Sequence, residues 1–266
     1  MKRKHQHSEE DQDVVQEVRS AYFSVSAAES RTGSCSQPAG RRLQQPAGRR
    51  LQLSDFSLPC EELARCLLGA VLCRQSAGEL LRGKVVEVES YPGNSDGASH
   101  SYKGETERNR AMFMGPRTAY VYSIYGMYHC FNVSSRGEGA AVLVRSLEPL
   151  QGLKVMRTNR EAKRKAGAKT LKEKDLCNGP SKLCQAFNID KSVNCTDLSS
   201  SDDIWFERDG GDGGGDVLVQ TTRIGIEGSG PEWAALKLRW YILGNPHVSV
   251  RDRQAEADLQ PPNNLS

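Results

Sequence analysis

The sequence predicts a mixed α/β (α+β) fold: one compact domain with a mainly antiparallel curved sheet, surrounding helices and a protruding β-hairpin. Three observations predict it. The chain has 266 residues, 37% of them hydrophobic, enough for one sizeable core plus a polar tail. Two runs rich in β-branched and aromatic residues flank Gly126 within residues 119–134, the pattern of a hairpin. Strand-like and helix-like segments follow one another irregularly, without the repeated strand–helix–strand order of a doubly wound sheet.

Taken in order, residues 1–52 are polar and lack apolar periodicity, so they are expected to form a disordered basic arm. The octet Gln37-Pro38-Ala39-Gly40-Arg41-Arg42-Leu43-Gln44 recurs at once as Gln45 to Gln52, but two such short copies bury no face and make no solenoid. A folded domain is expected over 53–255. From Ser54 or Pro59 through Leu72 the apolar residues Leu63, Cys66, Leu67, Ala70 and Val71 keep helical spacing. Residues 81–89 alternate as a strand, the hairpin follows, and 140–147 is a further strand. Residues 151–165 are polar and helical, and a short helix over 181–187 follows the Gly179-Pro180 break. The acidic, glycine-rich stretch at about 197–216 reads as a mobile loop. Residues 221–226 and 238–243 read as closing strands, and 256–266 as a disordered tail.

Composition removes several function classes. No apolar run approaches the ~18 residues of a membrane span. The opening Met1-Lys2-Arg3-Lys4-His5-Gln6-His7 leads into acidic residues without an apolar segment, so no secretory signal is expected and an intracellular protein is. The eight cysteines include no C-x-x-C pair, and reduced, mostly buried thiols are expected rather than disulfides or a zinc site. Neither metal nor cofactor is expected. Net charge is only +3, yet residues 154–174 hold nine basic residues against two acidic ones, and 197–216 hold seven acidic against one basic. The basic run is either a solvated face or a surface that tracks a phosphate backbone.

Five constellations carry chemistry. In Val85-Val86-Glu87-Val88-Glu89-Ser90-Tyr91-Pro92-Gly93, strand alternation puts Glu87, Glu89 and Tyr91 on one face. Carboxylates beside a phenol at a strand end suit a cleft that deprotonates water; the plainer alternative is an edge strand with solvated glutamates. His100 sits ten residues on in a polar loop. Arg108-Asn109-Arg110-Ala111-Met112-Phe113-Met114 joins phosphate-binding arginines to large apolar residues, which core packing also explains. The hairpin gathers Tyr120, Tyr122, Tyr125, Tyr128 and Phe131. A tip of Tyr125 and Met127 can wedge into a base stack, and tyrosines lower down can sandwich a base, or the whole is ordinary β-core. Arg145 lies inside the apolar strand 141–147, where it is costly without a partner.

The order of these motifs closely resembles the alkyladenine (3-methyladenine) DNA glycosylase family. The resemblance rests on Glu89-Ser90-Tyr91, His100, Arg108-Asn109-Arg110, Met112-Phe113-Met114, Tyr122, Tyr125-Gly126-Met127-Tyr128, Asn132 and Arg145-Ser146-Leu147-Glu148-Pro149. Asn178-Gly179-Pro180-Ser181-Lys182-Leu183 and Asn245-Pro246-His247-Val248-Ser249-Val250 extend it over roughly 55–252. It implies that 53–255 is a glycosylase catalytic domain acting on damaged purines in double-stranded DNA, as a monomer, in the nucleus with the mitochondrion as a second compartment. Glu89 would activate water, and Arg145 would help position that water or the flipped nucleotide's phosphate. Tyr91, His100 and Tyr122 would line the purine pocket, while Asn132 would crowd the exocyclic amine of normal guanine. Tyr125 would fill the gap left by the flipped nucleotide, with Met127, Tyr128, Arg108, Arg110 and Lys182 on the DNA side. No lysine stands at a position matching the catalytic motif, so a water-dependent cut without a lyase step is expected.

Overall fold

The computed structural model describes residues 48–165, 167–208 and 215–259, all within the compact unit Gln45–Ser266. The expected N-terminal arm before residue 48, the glycine tract 209–214, the tail after 259 and Cys35 lie outside the described residues.

The sheet is built on one long strand. β3 (Glu79–Tyr91) runs antiparallel to β2 (Val71–Ser76) along its first half. Its last third pairs on that edge with β9 (Arg239–Ile242), and β6 (Ala141–Gln151) covers the other edge. The hairpin of β4 (Ala119–Ile124) and β5 (Tyr128–Ser134) extends the sheet beyond β6. β7 (Ile204–Arg208) joins β2 to the two-residue β1 (Arg49–Arg50), and β8 (Leu218–Thr221) pairs with β9. Every one of these strand pairings is antiparallel, as the sequence predicts.

Burial along β3 explains the sheet's two characters. Residues 79–85 alternate between buried and more open positions, whereas 85–90 are buried throughout. Strands flank both edges there, so Glu87 and Glu89 are not the solvated glutamates of an edge strand: each has 0% exposure. Register shifts between Val85 and Val88 mark irregular pairing around Glu87, the kind of local bend that re-aims a side chain.

Helices close one face. α1 (Leu53–Phe56) precedes α2 (Cys60–Leu67), whose buried Cys60, Leu63, Ala64 and Leu67 fall at i, i+3, i+4 and i+7. Glu61 and Glu62 sit favourably in its first turn. α2 packs on β3 and β6, and α4 (Pro180–Ala186) packs on β5 and β6 beside α3 (Leu153–Glu161). α5 (Pro231–Ala234) and the terminal α6 (Arg253–Asp258) complete the set.

Four expectations need correction. The first helical pattern does not run to Leu72: Gly69 takes φ +79° and Val71 opens β2. The stretch read as a mobile loop contains β7, with Ile204 to Glu207 buried. The closing strand over 221–226 lies earlier, at Leu218–Thr221, leaving 222–226 as a loop. Finally, the fold extends past 53–255 at both ends. Leu51 is 1% exposed and its N–H donates to Phe206 O at 2.8 Å, while Glu256 is 7% exposed and accepts from Tyr241 Oη at 2.9 Å. Short pairings of Arg-, Gln- and Asp-rich segments leave no apolar period to read. Of the described cysteines, Cys60, Cys73, Cys130, Cys177 and Cys184 are buried thiols, as expected; Cys66 is half-buried and Cys195 exposed.

Candidate active site

Alternation along three neighbouring strands builds the cleft. On the hairpin, Ala119, Val121, Phe131 and Val133 enter the main core, while Tyr120, Tyr122, Cys130 and Asn132 face the other way and line a hollow. On β6, Val142 and Val144 are core, and Leu143 and Arg145 line the hollow. On β3, Val86 and Val88 are core, and Glu89 and Tyr91 line it. A period of two thus gives each strand one core face and one cleft face. The cleft encloses about 510 Å³, room for a flat heterocycle with water.

Its floor is a network of buried charges. Glu89 Oε1 forms an ion pair with Arg145 Nη1 at 3.1 Å and accepts from the Ile224 N–H at 2.8 Å, and Oε2 accepts from Tyr91 Oη at 2.9 Å. Glu87 takes four donors: Arg145 Nε at 3.1 Å, Arg239 Nη1 at 2.9 Å, Ser146 Oγ at 3.0 Å and the Ser249 N–H at 2.7 Å. A carboxylate offers about four acceptor sites. Glu87 is therefore saturated, whereas Glu89, with two hydrogen bonds and the ion pair, keeps acceptor capacity open. Burial works against the charge of Arg145, but Glu89 and then Glu87 outweigh it and hold the guanidinium above its ordinary pKa. Burial first, and the Glu89 charge second, push the Tyr91 phenol well above its ordinary range, so it stays a proton donor.

The walls are aromatic. His100 and Tyr122 meet edge to face with centroids 4.5 Å apart, and Tyr120 tilts against Tyr122 at 5.4 Å. His100 Nδ1 lies 2.9 Å from Tyr120 Oη. Enclosure by the cleft wall first, and Arg108 second, hold the imidazolium of His100 below its usual pKa, although much of the ring's surface meets solvent. The neutral form of the ring is therefore favoured. Burial pushes Tyr120 up to about 12. Asn132, 4% exposed, donates Nδ2 to Tyr120 O at 3.0 Å, which fixes its amide in the wall.

The loop after β3 is seated by Gly97: a Cβ there would lie 2.3 Å from Trp233 Nε1. Asp96 and Arg223 form a fully buried pair beneath it. Sequence reading missed this pair, the Ile224 amide and Arg239, because Arg223, Ile224 and Arg239 come from segments remote in sequence from β3. The signal available was Arg223 and Arg239, each in or beside a strand and needing a partner, as Arg145 does.

Two further features adjoin the cleft. At the hairpin tip, Tyr125 and Gly126 both take positive φ, +51° and +69°, as the central residues of a type I′ turn do. Tyr125 is 87% exposed, Met127 68% and Tyr128 39%. A groove of about 890 Å³ runs beside the tip, lined by Met127, Tyr128, Arg160, Lys163, Arg164 and Lys182 among others. Lys182 Nζ also donates to Asn178 Oδ1 at 2.9 Å.

Of the residues singled out in the sequence, Glu89, Tyr91, His100, Tyr122, Asn132 and Arg145 line the one cleft. Met127, Tyr128 and Lys182 line the groove, and Tyr125 stands on the tip. Arg108 and Arg110 are exposed and line neither hollow. Met112 is 3% exposed, packs with Tyr120 and Tyr122, and also lines the cleft.

A family profile described as methylpurine-DNA glycosylase (MPG) matches residues 54–246. The chain is 50% identical over 211 residues to "DNA-3-methyladenine glycosylase" of Homo sapiens, covering 78% of this chain and 70% of that protein. It is 51% identical over 210 residues to the protein of the same name from Mus musculus, covering 77% and 63%. With "Probable DNA-3-methyladenine glycosylase" of Encephalitozoon cuniculi (strain GB-M1) identity is 46% over 203 residues, covering 75% and 93%. The matched segment thus spans about two thirds of the mammalian relatives and nearly all of the microsporidian one.

Proposed function

The chain belongs to the methylpurine-DNA glycosylase family, and from that premise we propose that it is a monofunctional DNA-3-methyladenine glycosylase of base-excision repair. It extrudes alkylated or deaminated purines (3-methyladenine, 7-methylguanine, hypoxanthine, ethenoadenine) from double-stranded DNA and hydrolyses the N-glycosidic bond, leaving an abasic site. It works as a monomer, in the nucleus and with the mitochondrion as a second compartment.

The observation that carries this reading is the unequal satisfaction of two neighbouring carboxylates. Glu87 is fully hydrogen-bonded, while Glu89 retains an open acceptor site at the floor of an aromatic cleft. A water donating to that site is held by Glu89 and by the positive field of Arg145. Its oxygen attacks the anomeric carbon, its proton passes to Glu89, and the glycosidic electron pair leaves with the base. An alkylated purine departs from its cationic form as a neutral molecule, whereas an uncharged purine gains one proton from solvent as it departs. Tyr91, Tyr122 and the neutral His100 hold the extruded ring by stacking and cation–π attraction. Asn132, fixed by its bond to Tyr120 O, crowds the amine of normal guanine.

Extrusion costs a few kcal/mol, least for a damaged or mispaired base. Tyr125 enters the gap, while Met127, Tyr128, Lys182, Arg108 and Arg110 meet the strand around it. Glu87 as a ligand in a metal-dependent nuclease fits poorly, since its four acceptor sites are already taken. The remaining rival is a module that flips lesions without cutting. Glu89→Gln separates them: excision of hypoxanthine and 7-methylguanine should fall ~10²–10⁴-fold with lesion binding retained. Excision within about tenfold of wild type would remove Glu89 as the base.

A further inference from the structure

Tyr91 has a cation on its hidden face. The guanidinium carbon of Arg223 lies 4.8 Å from the ring centroid. Its side chain is 0% exposed and does not line the cleft, so the phenol separates Arg223 from the space offered to a base. The arginine is held from behind. Nη2 donates to Asp96 Oδ1 at 3.0 Å, Nη1 donates to Asp96 Oδ2 and to Ser90 O at 3.2 Å, and Nη2 also reaches Trp233 O at 3.3 Å. Asp96 is 2% exposed, and the Nε of Arg223 is buried without a hydrogen-bond partner. A buried ion pair that leaves a donor unsatisfied is a costly way merely to fill space.

Its orientation has a consequence for the cleft. A tyrosine face draws cations because its π-cloud is negative. Here the positive end of the ion pair already rests on one face, and its negative end is bound to both terminal nitrogens of the guanidinium. A cation arriving on the opposite face meets a partly spent ring and the positive end of a dipole. Glu89 acts in the other sense, since it accepts the Tyr91 hydroxyl proton at 2.9 Å and enriches the ring.

We propose that the Arg223–Asp96 pair, stacked behind Tyr91, sets the balance between cationic alkylated purines and neutral purines in the cleft. The inference rests on the purine-excision reading and assigns it a residue that never touches the substrate. Backing Tyr91 with a cation trims the advantage of charged bases, so neutral lesions compete. A base stacked on the open face lies roughly 8 Å from the guanidinium; at an effective dielectric of about 20, with Asp96 offsetting part of the charge, the net effect is a few-fold in binding.

The test is the ratio of kcat/KM for 7-methylguanine over hypoxanthine, each in duplex DNA. Asp96→Asn unmasks the cation and should lower the ratio about three- to tenfold. The double change Asp96→Asn with Arg223→Gln removes both charges and should raise it about threefold. Arg223→Lys keeps a charge beside Asp96 but gives up the bidentate fork and the stacked plane, so it should move the ratio less than either of the other changes. A merely structural role lowers both substrates by one factor and leaves every ratio at the wild-type value; that result overturns the inference. So does a shift in the same direction for Asp96→Asn and the double variant. If the double variant does not fold, Asp96→Asn against Arg223→Lys decides the matter. Wild-type protein that excises neither base overturns the excision reading itself, and this inference with it.

Discussion

On the cleft floor Glu87, Glu89 and Arg145 are withdrawn from water and bound to one another, whereas at the hairpin tip Tyr125 and Met127 stand 87% and 68% exposed. The two regions break opposite rules of folding. Buried charge is tolerated on the floor because each group is paired, and at Glu87 every acceptor site is filled. Large apolar groups at the tip have no protein cover, and Tyr125 holds a left-handed φ of +51° that disfavours a side chain. Departures of this kind gather at functional sites. Under the proposed function their difference divides the work: fixed charges for the water and the leaving base, uncovered apolar surface for the DNA.

Three measurements sharpen or break that contrast. The largest effect should come from Arg145→Met, which leaves Glu87 and Glu89 close together without their shared cation. Removing one partner of a buried pair costs ~3–5 kcal/mol, and each kcal/mol lowers the melting temperature by roughly 2–4 °C at this size. A melting temperature within a degree of wild type would show that the floor is not interlocked. Next, Tyr125→Ala should leave stability within about 0.5 kcal/mol while weakening binding to lesion duplex by ~1–3 kcal/mol, the value of one base–aromatic stack. Equal losses on duplex and single strand would remove the wedge role.

The smallest effect concerns pH. His100 titrates below its ordinary value in the folded chain, through enclosure first and Arg108 second. The neutral form is thus favoured by folding. The associated stability is present above an unfolded pKa of about 6.5 and is lost as pH falls through the lower folded value. His100→Gln should therefore flatten the decline in melting temperature between pH 7.5 and 5, by a modest amount because the ring is largely solvated. A decline as steep as that of wild type would show that His100 does not titrate in this way.

Much of this arrangement is legible in the sequence, for local reasons. Period-two alternation placed Glu89 with Tyr91, and the glycine-centred hairpin placed Tyr125 at a tip. Its large side chains divide: Tyr120 and Phe131 are buried, as ordinary β-core would have them, while Tyr125, Met127 and Tyr128 are not. Arg145 in an apolar strand announced a partner. What escaped was non-local or short. β1 and β7 pair residues about 158 positions apart in register pairs such as Arg49 with Arg208, and neither strand carries a strong period. The loop over 222–226 resembles a strand in composition, yet its Ile224 amide bonds Glu89.

The sequence by itself determined the alternating faces, the turn at Tyr125-Gly126 and the inventory of acids, arginines and aromatics, because these depend on neighbours two to four residues apart. Only the tertiary structure decided what each charge does. Glu87 and Glu89 are equivalent by composition and share one strand face, and no local rule ranks them. They part because β9 and the segment at Ser249 bring donors to Glu87, leaving Glu89 as the carboxylate with room for a water.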